Sequence, residues 1–96
     1  MPEYRKLEAA DLQAALSDLE DWELIDGKLH REFKFKDFSA AFAFMTRAAM
    51  EAHRIDHHPE WSNVYNRVTV DLFTHETGGL TNLDVKLARK LNEFFS

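Results

Sequence analysis

The chain has 96 residues, of which 45% are hydrophobic, and this length fits one compact domain, predicted over residues 1–96. Its formal net charge of −5 and its scattered basic residues exclude a direct nucleic-acid ligand, because a phosphate backbone would be repelled. The absence of cysteine excludes disulfides and thiolate metal sites, and no apolar run approaches the ~20 residues of a membrane span. We therefore expect a cytoplasmic protein that does not associate with membranes.

The first predicted elements are a helix and a strand. Leu12, Leu16 and Leu19 recur at helical spacing, and charged residues occupy the other faces. This pattern predicts a short amphipathic helix over residues 8–19 that covers the core. A short apolar strand is predicted to follow over residues 22–25.

A tight hairpin is predicted next. The dipeptide Asp26-Gly27 suits the positive φ angles that a two-residue hairpin turn requires. Beyond it, Leu29, Phe33 and Phe35 alternate with polar residues. Such alternation predicts a strand with one buried face and one face in water.

A longer and more apolar helix should follow, with Asp37 or Ser39 as its cap. The predicted core-facing positions are Phe42, Met45, Ala49 and Ala52, and the positions that widen this stripe are Phe44, Ala48 and Ile55. Such a helix is expected to cover the sheet with one face and to be buried again in an oligomer. Because Pro59 disfavours the α conformation in the residue before it, the helix should end close to His57 or His58.

A second hairpin is predicted from a strand at residues 61–64 and a turn at Tyr65-Asn66. The core face of the following strand is predicted to consist of Val68, Val70 and Leu72. His75 has the opposite parity, so it should emerge from the end of this strand on the other side. Residues 76–79 are predicted to form a loop.

The last predicted element is a helix that opens with a capping box formed by Thr81 and Asp84. Its core face is predicted to consist of Leu83, Leu87, Leu91 and Phe94. The order α-β-β-α-β-β-α predicts an α+β fold, with a four-stranded antiparallel sheet and three helices packed on one face.

Histidines mark the candidate functional site. Four of the five histidines, His53, His57, His58 and His75, lie in one quarter of the chain. The unperturbed pKa of histidine, about 6.5, lets it give or take a proton near neutral pH, so the cluster indicates acid–base chemistry or a metal. As the metal alternative, His53 and His57 lie one helical turn apart and His75 could supply a third ligand.

Several motifs in the same order resemble the pterin-4a-carbinolamine dehydratase family. They are His57-His58-Pro59-Glu60-Trp61, Val64-Tyr65-Asn66, Thr74-His75-Glu76, Gly79-Leu80-Thr81 and Asp84, with Phe35-Lys36-Asp37-Phe38 and residues 42–47 upstream. The resemblance spans residues 22–88, and several distinct elements are far more specific than one short motif. One departure is His53, since many members carry a carboxylate there that could orient His57.

The resemblance implies a hydro-lyase, 4a-hydroxytetrahydrobiopterin dehydratase, which forms quinonoid dihydropterin and water and recycles the pterin cofactor of aromatic amino acid hydroxylases. It implies that His57, His58 and His75 are catalytic, with His58 chiefly orienting the pterin. The implied substrate-binding residues are Pro59, Trp61, Thr74, Glu76, Thr77 and Asp84. No metal or other cofactor is expected, because the lone pair on N5 of the pterin can expel the leaving group.

The resemblance also implies a homodimer or a homotetramer. Some proteins similar to this family act as dimerisation cofactors of a hepatocyte nuclear factor, through the helical face. A protein-binding role without required catalysis is therefore the alternative function. The complete histidine set favours an enzyme, because a scaffold alone would not need it.

Overall fold

The structure, a computed structural model, describes residues 4–95, so the outermost residues of the predicted domain lie outside the described part. The α-helices are α1 (Ala9–Asp18), α2 (Phe38–Arg54) and α3 (Asn82–Phe95), and the strands are β1 (Glu23–Ile25), β2 (Lys28–Lys34), β3 (Glu60–Val64) and β4 (Arg67–Leu72). A short 3₁₀ helix spans His75–Thr77. The predicted α+β class and the α-β-β-α-β-β-α order are confirmed.

The four strands form one antiparallel sheet in the order β1-β2-β4-β3. The two predicted hairpins meet through β2 and β4, where Leu29 lies opposite Leu72 and Phe33 lies opposite Val68. Because opposed residues of an antiparallel pair share one face, this register gathers the apolar side chains under the helices. Among residues 4–95, no helix has the length and apolar character needed to cross a bilayer.

The first hairpin turn has the predicted positive φ angles. Asp26 has a φ of 52° and Gly27 has a φ of 79°. These two positive angles define the primed turn that matches the twist of paired strands. Tyr65, in the second turn, has a φ of 51°.

β2 contains a buried charge that the alternating pattern did not predict. The Arg31 guanidinium lies 4.3 Å from the Phe33 ring and donates hydrogen bonds to the Glu20 carbonyl and the Asn92 side chain. Burial lowers the pKa of Arg31, and the nearby carboxylate of Asp21 opposes this shift. Arg31 thus ties the loop after α1 to the end of α3.

The predicted core face of α2 was wrong at Phe42 and Ala49, whereas the positions predicted to widen it are buried. The buried residues of α2 are Ala41, Phe44, Ala48 and Ala52, and Ile55 continues this row beyond the helix. Phe42 is 52% exposed, and Ala49 is exposed as well. Both stripes have helical spacing, so periodicity alone could not choose between them. Phe44 decides the face, because its ring packs 4.7 Å from Phe33 and 5.1 Å from Phe35.

α2 begins as predicted but ends earlier. The Asp37 side chain accepts a hydrogen bond from the Ala40 amide, which makes Asp37 the cap. The helix ends at Arg54 rather than at the histidine pair, because Asp56 takes a left-handed conformation with a φ of 54°. The His57 amide then donates to the Ala52 carbonyl at 3.0 Å, a bond typical of a helix C-terminus. This turn directs His57 back toward the core.

Candidate active site

A cleft of about 270 Å³ lies where α2 ends, the 3₁₀ helix forms and α3 begins. It is lined by Tyr4, Asp56, His57, His58, Phe73, Thr74, His75, Glu76 and Leu83. The structure therefore brings together the three histidines predicted to be catalytic, although they lie up to eighteen positions apart in the sequence. A larger groove of about 570 Å³ between α1 and α3 contains no histidine, so the smaller cleft is the better candidate for acid–base chemistry.

His57 forms the buried wall of the cleft. Its Nε2 lies 2.5 Å from Oδ1 of Asp84, which is fully buried in the first turn of α3. This contact is satisfied when Nε2 carries the ring proton and the carboxylate oxygen accepts it, and we assign the tautomer accordingly. Within residues 4–95, Nδ1 of His57 has no hydrogen-bond partner, which leaves this nitrogen for the cleft.

Asp84 is held by two further donors on its other carboxylate oxygen. Oδ2 accepts a hydrogen bond from the Thr74 hydroxyl at 2.7 Å and from the Thr81 amide at 2.9 Å. The bond from the Thr81 amide to Asp84 is one half of the predicted capping box, while the Thr81 hydroxyl accepts from the Leu83 amide rather than from that of Asp84. The same carboxylate thus caps α3 and fixes the ring of His57. It lies behind that ring and away from the cleft surface.

His75 forms the exposed wall. It opens the 3₁₀ helix after β4 has ended at Leu72, so the prediction that it emerges from a strand, followed by a plain loop, was wrong. Thr74 pairs with Gly79 across the base of this segment, and Gly78 has a φ of 67°. Nε2 of His75 lies 3.5 Å from Oε2 of Glu60.

His58 and His53 lie near the mouth of the cleft. His58 lines the cleft and is exposed, whereas His53 is exposed on the last turn of α2 and is not part of the lining. Their ring centroids are 6.0 Å apart. His53 does not contact His57, and the carboxylate that orients His57 comes instead from Asp84.

The predicted substrate-binding residues divide into three groups. Thr74 and Glu76 line the cleft, and Thr77 donates its hydroxyl to the carbonyls of Thr74 and Gly79, which stabilises the segment. Pro59 and Trp61 are not part of the lining, and Trp61 packs against the core. Asp84 acts on the site through His57.

Four lining residues were absent from the predicted site. They are Tyr4, Asp56, Phe73 and Leu83. Asp56 had a local signal, since aspartate tolerates the left-handed conformation needed where a helix ends before a proline. Tyr4 reaches the cleft only through tertiary folding, which no local pattern encodes.

The metal alternative does not match the side-chain placement. In the described part of the chain, no three histidine or carboxylate side chains converge to hold a metal ion. His57 points its Nε2 at Asp84, while His53 lies outside the cleft lining. The candidate site therefore consists of imidazoles paired with carboxylates.

Comparison with known families gives one match over most of the chain. The family model described as pterin 4 alpha carbinolamine dehydratase matches residues 5–94. The matched range includes every histidine of the cleft and the carboxylates paired with them.

Curated relatives and a crystal structure agree with this match. A protein from a Chelativorans species that bears the name pterin-4-alpha-carbinolamine dehydratase is 52% identical to this chain over 92 residues. The match covers 94% of each chain. A similarly named protein from Solibacter usitatus is 54% identical over 87 residues, covering 91% of this chain and 92% of the relative. The crystal structure of a transcriptional coactivator/pterin dehydratase from Brucella melitensis superposes with a TM-score of 0.92 at 49% identity, covering 96% of this chain and 100% of that chain.

Proposed function

The chain belongs to the pterin 4 alpha carbinolamine dehydratase family, whose members are hydro-lyases, and we propose that it removes water from a 4a-hydroxytetrahydropterin. The product is the quinonoid dihydropterin, and the proposed role is to recycle the pterin cofactor of aromatic amino acid hydroxylases. The observation that carries the proposal is the buried pair of His57 and Asp84, 2.5 Å apart, beside a cleft that also holds His58 and His75.

The reaction requires two proton transfers at neighbouring atoms. The C–O bond at C4a breaks with its electrons on oxygen, while the N5 lone pair forms a double bond to C4a. The leaving oxygen takes up a proton and N5 loses one, so substrate becomes quinonoid product and water. Positioned general acids and bases each contribute about 100- to 10,000-fold to such steps.

In this proposal His57 is the general acid. Asp84 accepts the hydrogen bond from Nε2, so the proton for the leaving hydroxyl comes from Nδ1 of the imidazolium form, which becomes the neutral ring as it gives up that proton. Because Asp84 is held by Thr74 and Thr81, the ring is already oriented before substrate binds.

His75 is the proposed base at N5. It stands on the 3₁₀ helix, and therefore on a different element from His57, which follows α2. Two groups on separate elements can flank a flat ring, as the opposite proton transfers at C4a and N5 require. His58 lines the mouth of the cleft, where it is proposed to orient the pterin.

The decisive experiment measures dehydration of freshly prepared 4a-carbinolamine by absorbance as quinonoid dihydropterin forms. We expect saturable acceleration by wild-type protein and by His30→Ala. His30 is the matched control, because it pairs with Asp71 at 2.8 Å and does not line the cleft. A wild-type protein that leaves the spontaneous rate unchanged would contradict the proposed activity.

A second function, binding of a protein partner, is supported by the outer face of α2. Phe38, Phe42 and Met50 are exposed there, although large apolar side chains normally avoid water. The similar Brucella melitensis protein is described as a transcriptional coactivator as well as a pterin dehydratase. We propose that this face assembles the chain into a homodimer or a homotetramer and that a protein partner would bind the same face in place of a second copy.

Light scattering at micromolar concentration tests this assembly. We expect a mass at least twice the 11.2 kDa of one chain. Phe42→Glu, on the exposed face, should shift the mass toward the monomer without unfolding the protein. An 11.2 kDa species for the wild type would contradict the proposed assembly.

A further inference from the structure

A chain of polar contacts on the helix-free face of the sheet ends at His75. Lys28 donates a hydrogen bond from Nζ to Oε1 of Glu60 at 2.6 Å. The other oxygen of Glu60, Oε2, lies 3.5 Å from Nε2 of His75. One carboxylate therefore bridges a lysine at the start of β2 and a histidine of the cleft.

The sheet register explains why these residues meet. Asp71 of β4 lies opposite His30 on one side and opposite Glu60 on the other, so all three side chains share the helix-free face. Lys28 precedes His30 by two residues and therefore points to the same face. The charged groups around Glu60 are Lys28, His75 and the opposed Asp71, and His30 lies beyond Asp71 on the next strand.

An aromatic contact holds His75 from a second side. The ring of Phe73 lies 5.1 Å from the ring of His75 at an interplanar angle of 76°, an edge-to-face arrangement. The Lys28 ammonium lies 6.0 Å from the centre of the Phe73 ring. Although the His75 side chain is 70% exposed, it lies beside a carboxylate and an aromatic ring. Lys28 contacts both of these groups.

The charge on Glu60 is stabilised by this arrangement. The hydrogen bond from Lys28, followed by its Coulombic attraction, lowers the pKa of Glu60, and His75 acts in the same direction. The carboxylate is therefore ionised at neutral pH and favours a proton on the imidazole nitrogen that lies 3.5 Å from it.

We propose that Glu60 is a positioning residue for His75, anchored by Lys28, and that it directs the protonated Nε2 outward so that Nδ1 faces the substrate. This inference rests on the proposed function only for the role of His75 as a base. The orientation itself follows from the contacts among Lys28, Glu60 and His75. In the neutral ring, a donor at Nε2 leaves Nδ1 as the proton acceptor.

Nitrogen NMR of the His75 ring in the intact protein provides the first test. We expect the wild type to favour the tautomer with its proton on Nε2, and Glu60→Gln to shift the ring toward a mixture. Glu32→Gln is the matched control, because Glu32 pairs with Arg67 on the same face and does not contact His75. Unchanged His75 resonances in Glu60→Gln would overturn the proposal.

Kinetics provide the second test. Since exposed ion pairs are weak, Glu60→Gln and Lys28→Met should each lower kcat about two- to five-fold with little change in KM, and Lys28→Arg should retain activity. In a His75→Ala background, Glu60→Gln should have no further effect on kcat. An equal loss in that background would overturn the proposal. If the NMR shift is present but His75→Ala is fully active, the positioning stands and the proposed base fails.

Discussion

The two walls of the cleft present the same pair of groups, an imidazole and a carboxylate, in opposite surroundings. The side chains of His57 and Asp84 are 9% and 0% exposed, whereas those of His75 and Glu60 are 70% and 48% exposed. Interactions between charged groups strengthen as water is excluded, and exposed pairs are screened by solvent and salt. The imidazole–carboxylate contact should therefore contribute more to the free energy of unfolding on the buried wall than on the exposed wall.

The two walls of the cleft also differ in how firmly their side chains are held. Asp84 is fixed by the Thr74 hydroxyl and by the first turn of α3, so the buried wall cannot move without disturbing the core. His75 belongs to a short segment closed by Thr74 and Gly79, and its contact with Glu60 is longer and more exposed than that of His57 with Asp84. The two walls therefore differ in how firmly each imidazole is held.

The largest expected effect is on turnover when either imidazole is removed. His57→Ala and His75→Ala should each lower kcat about 100-fold or more, because each removes one proton transfer. The double variant should lose less than the product of the two if both groups serve one concerted step. Circular dichroism and oligomer mass control for folding. Folded single variants with wild-type kcat would remove this mechanism and favour the protein-binding role.

The second largest expected effect is on the stability of the fold, which should depend on the buried carboxylate more than on the exposed one. Asp84→Asn keeps an acceptor oxygen for α3 but removes the charge beside His57. We expect kcat to fall about 10- to 100-fold and the free energy of unfolding to fall by about 1 to 3 kcal/mol. Glu60→Gln, measured alongside by denaturant titration, should lower the free energy of unfolding far less, because its ion pair is exposed to solvent. Equal destabilisation by both changes would contradict the contrast between the walls.

A smaller effect concerns pH. Because Lys28 lowers the pKa of Glu60 in the folded protein, their contact stabilises the fold above the usual titration range of glutamate. This contribution is lost as pH falls through the lowered pKa. The difference in stability between wild type and Glu60→Gln should therefore be present at neutral pH, and it should disappear in acid once the carboxylate is protonated in the folded protein. A difference that persists at the acidic end would disagree with this ion pair.

The smallest expected effect follows removal of metal. Protein treated with a chelator should retain full kcat, because the imidazoles of the two walls face carboxylates rather than one another. Elemental analysis before and after treatment provides the control. Activity that disappears on stripping and returns with zinc would overturn the metal-free mechanism on both walls.

Sequence patterns predicted the fold well where chemistry is local. The Asp26-Gly27 turn, the alternation in β4 and the capping box of Thr81 and Asp84 all depend on neighbouring residues. Sequence patterns failed where two faces of one helix carry apolar residues at the same spacing. This happens on α2, where Phe44 rather than Phe42 faces the core. That choice depends on Phe33 and Phe35, which belong to another element.

The site shows the same division. Motif spacing identified His57, His58 and His75, and the structure places all three at one cleft. Their catalytic roles stay predictions. The pairing of His57 with Asp84 joins positions 27 residues apart, and no helical or strand period relates them. Likewise Glu60 lies within a recognised motif, but its contact with Lys28 requires the completed sheet.

The position of Asp84 also gives the site a built-in spectroscopic reporter. The backbone amide of Thr81 donates to the same carboxylate that accepts from His57. Any change in the charge or orientation of that imidazole alters the field at this proton. The resonance of a single backbone amide, which lies behind the cleft, should therefore follow protonation and ligand binding, and its hydrogen-exchange rate should report opening of the first turn of α3.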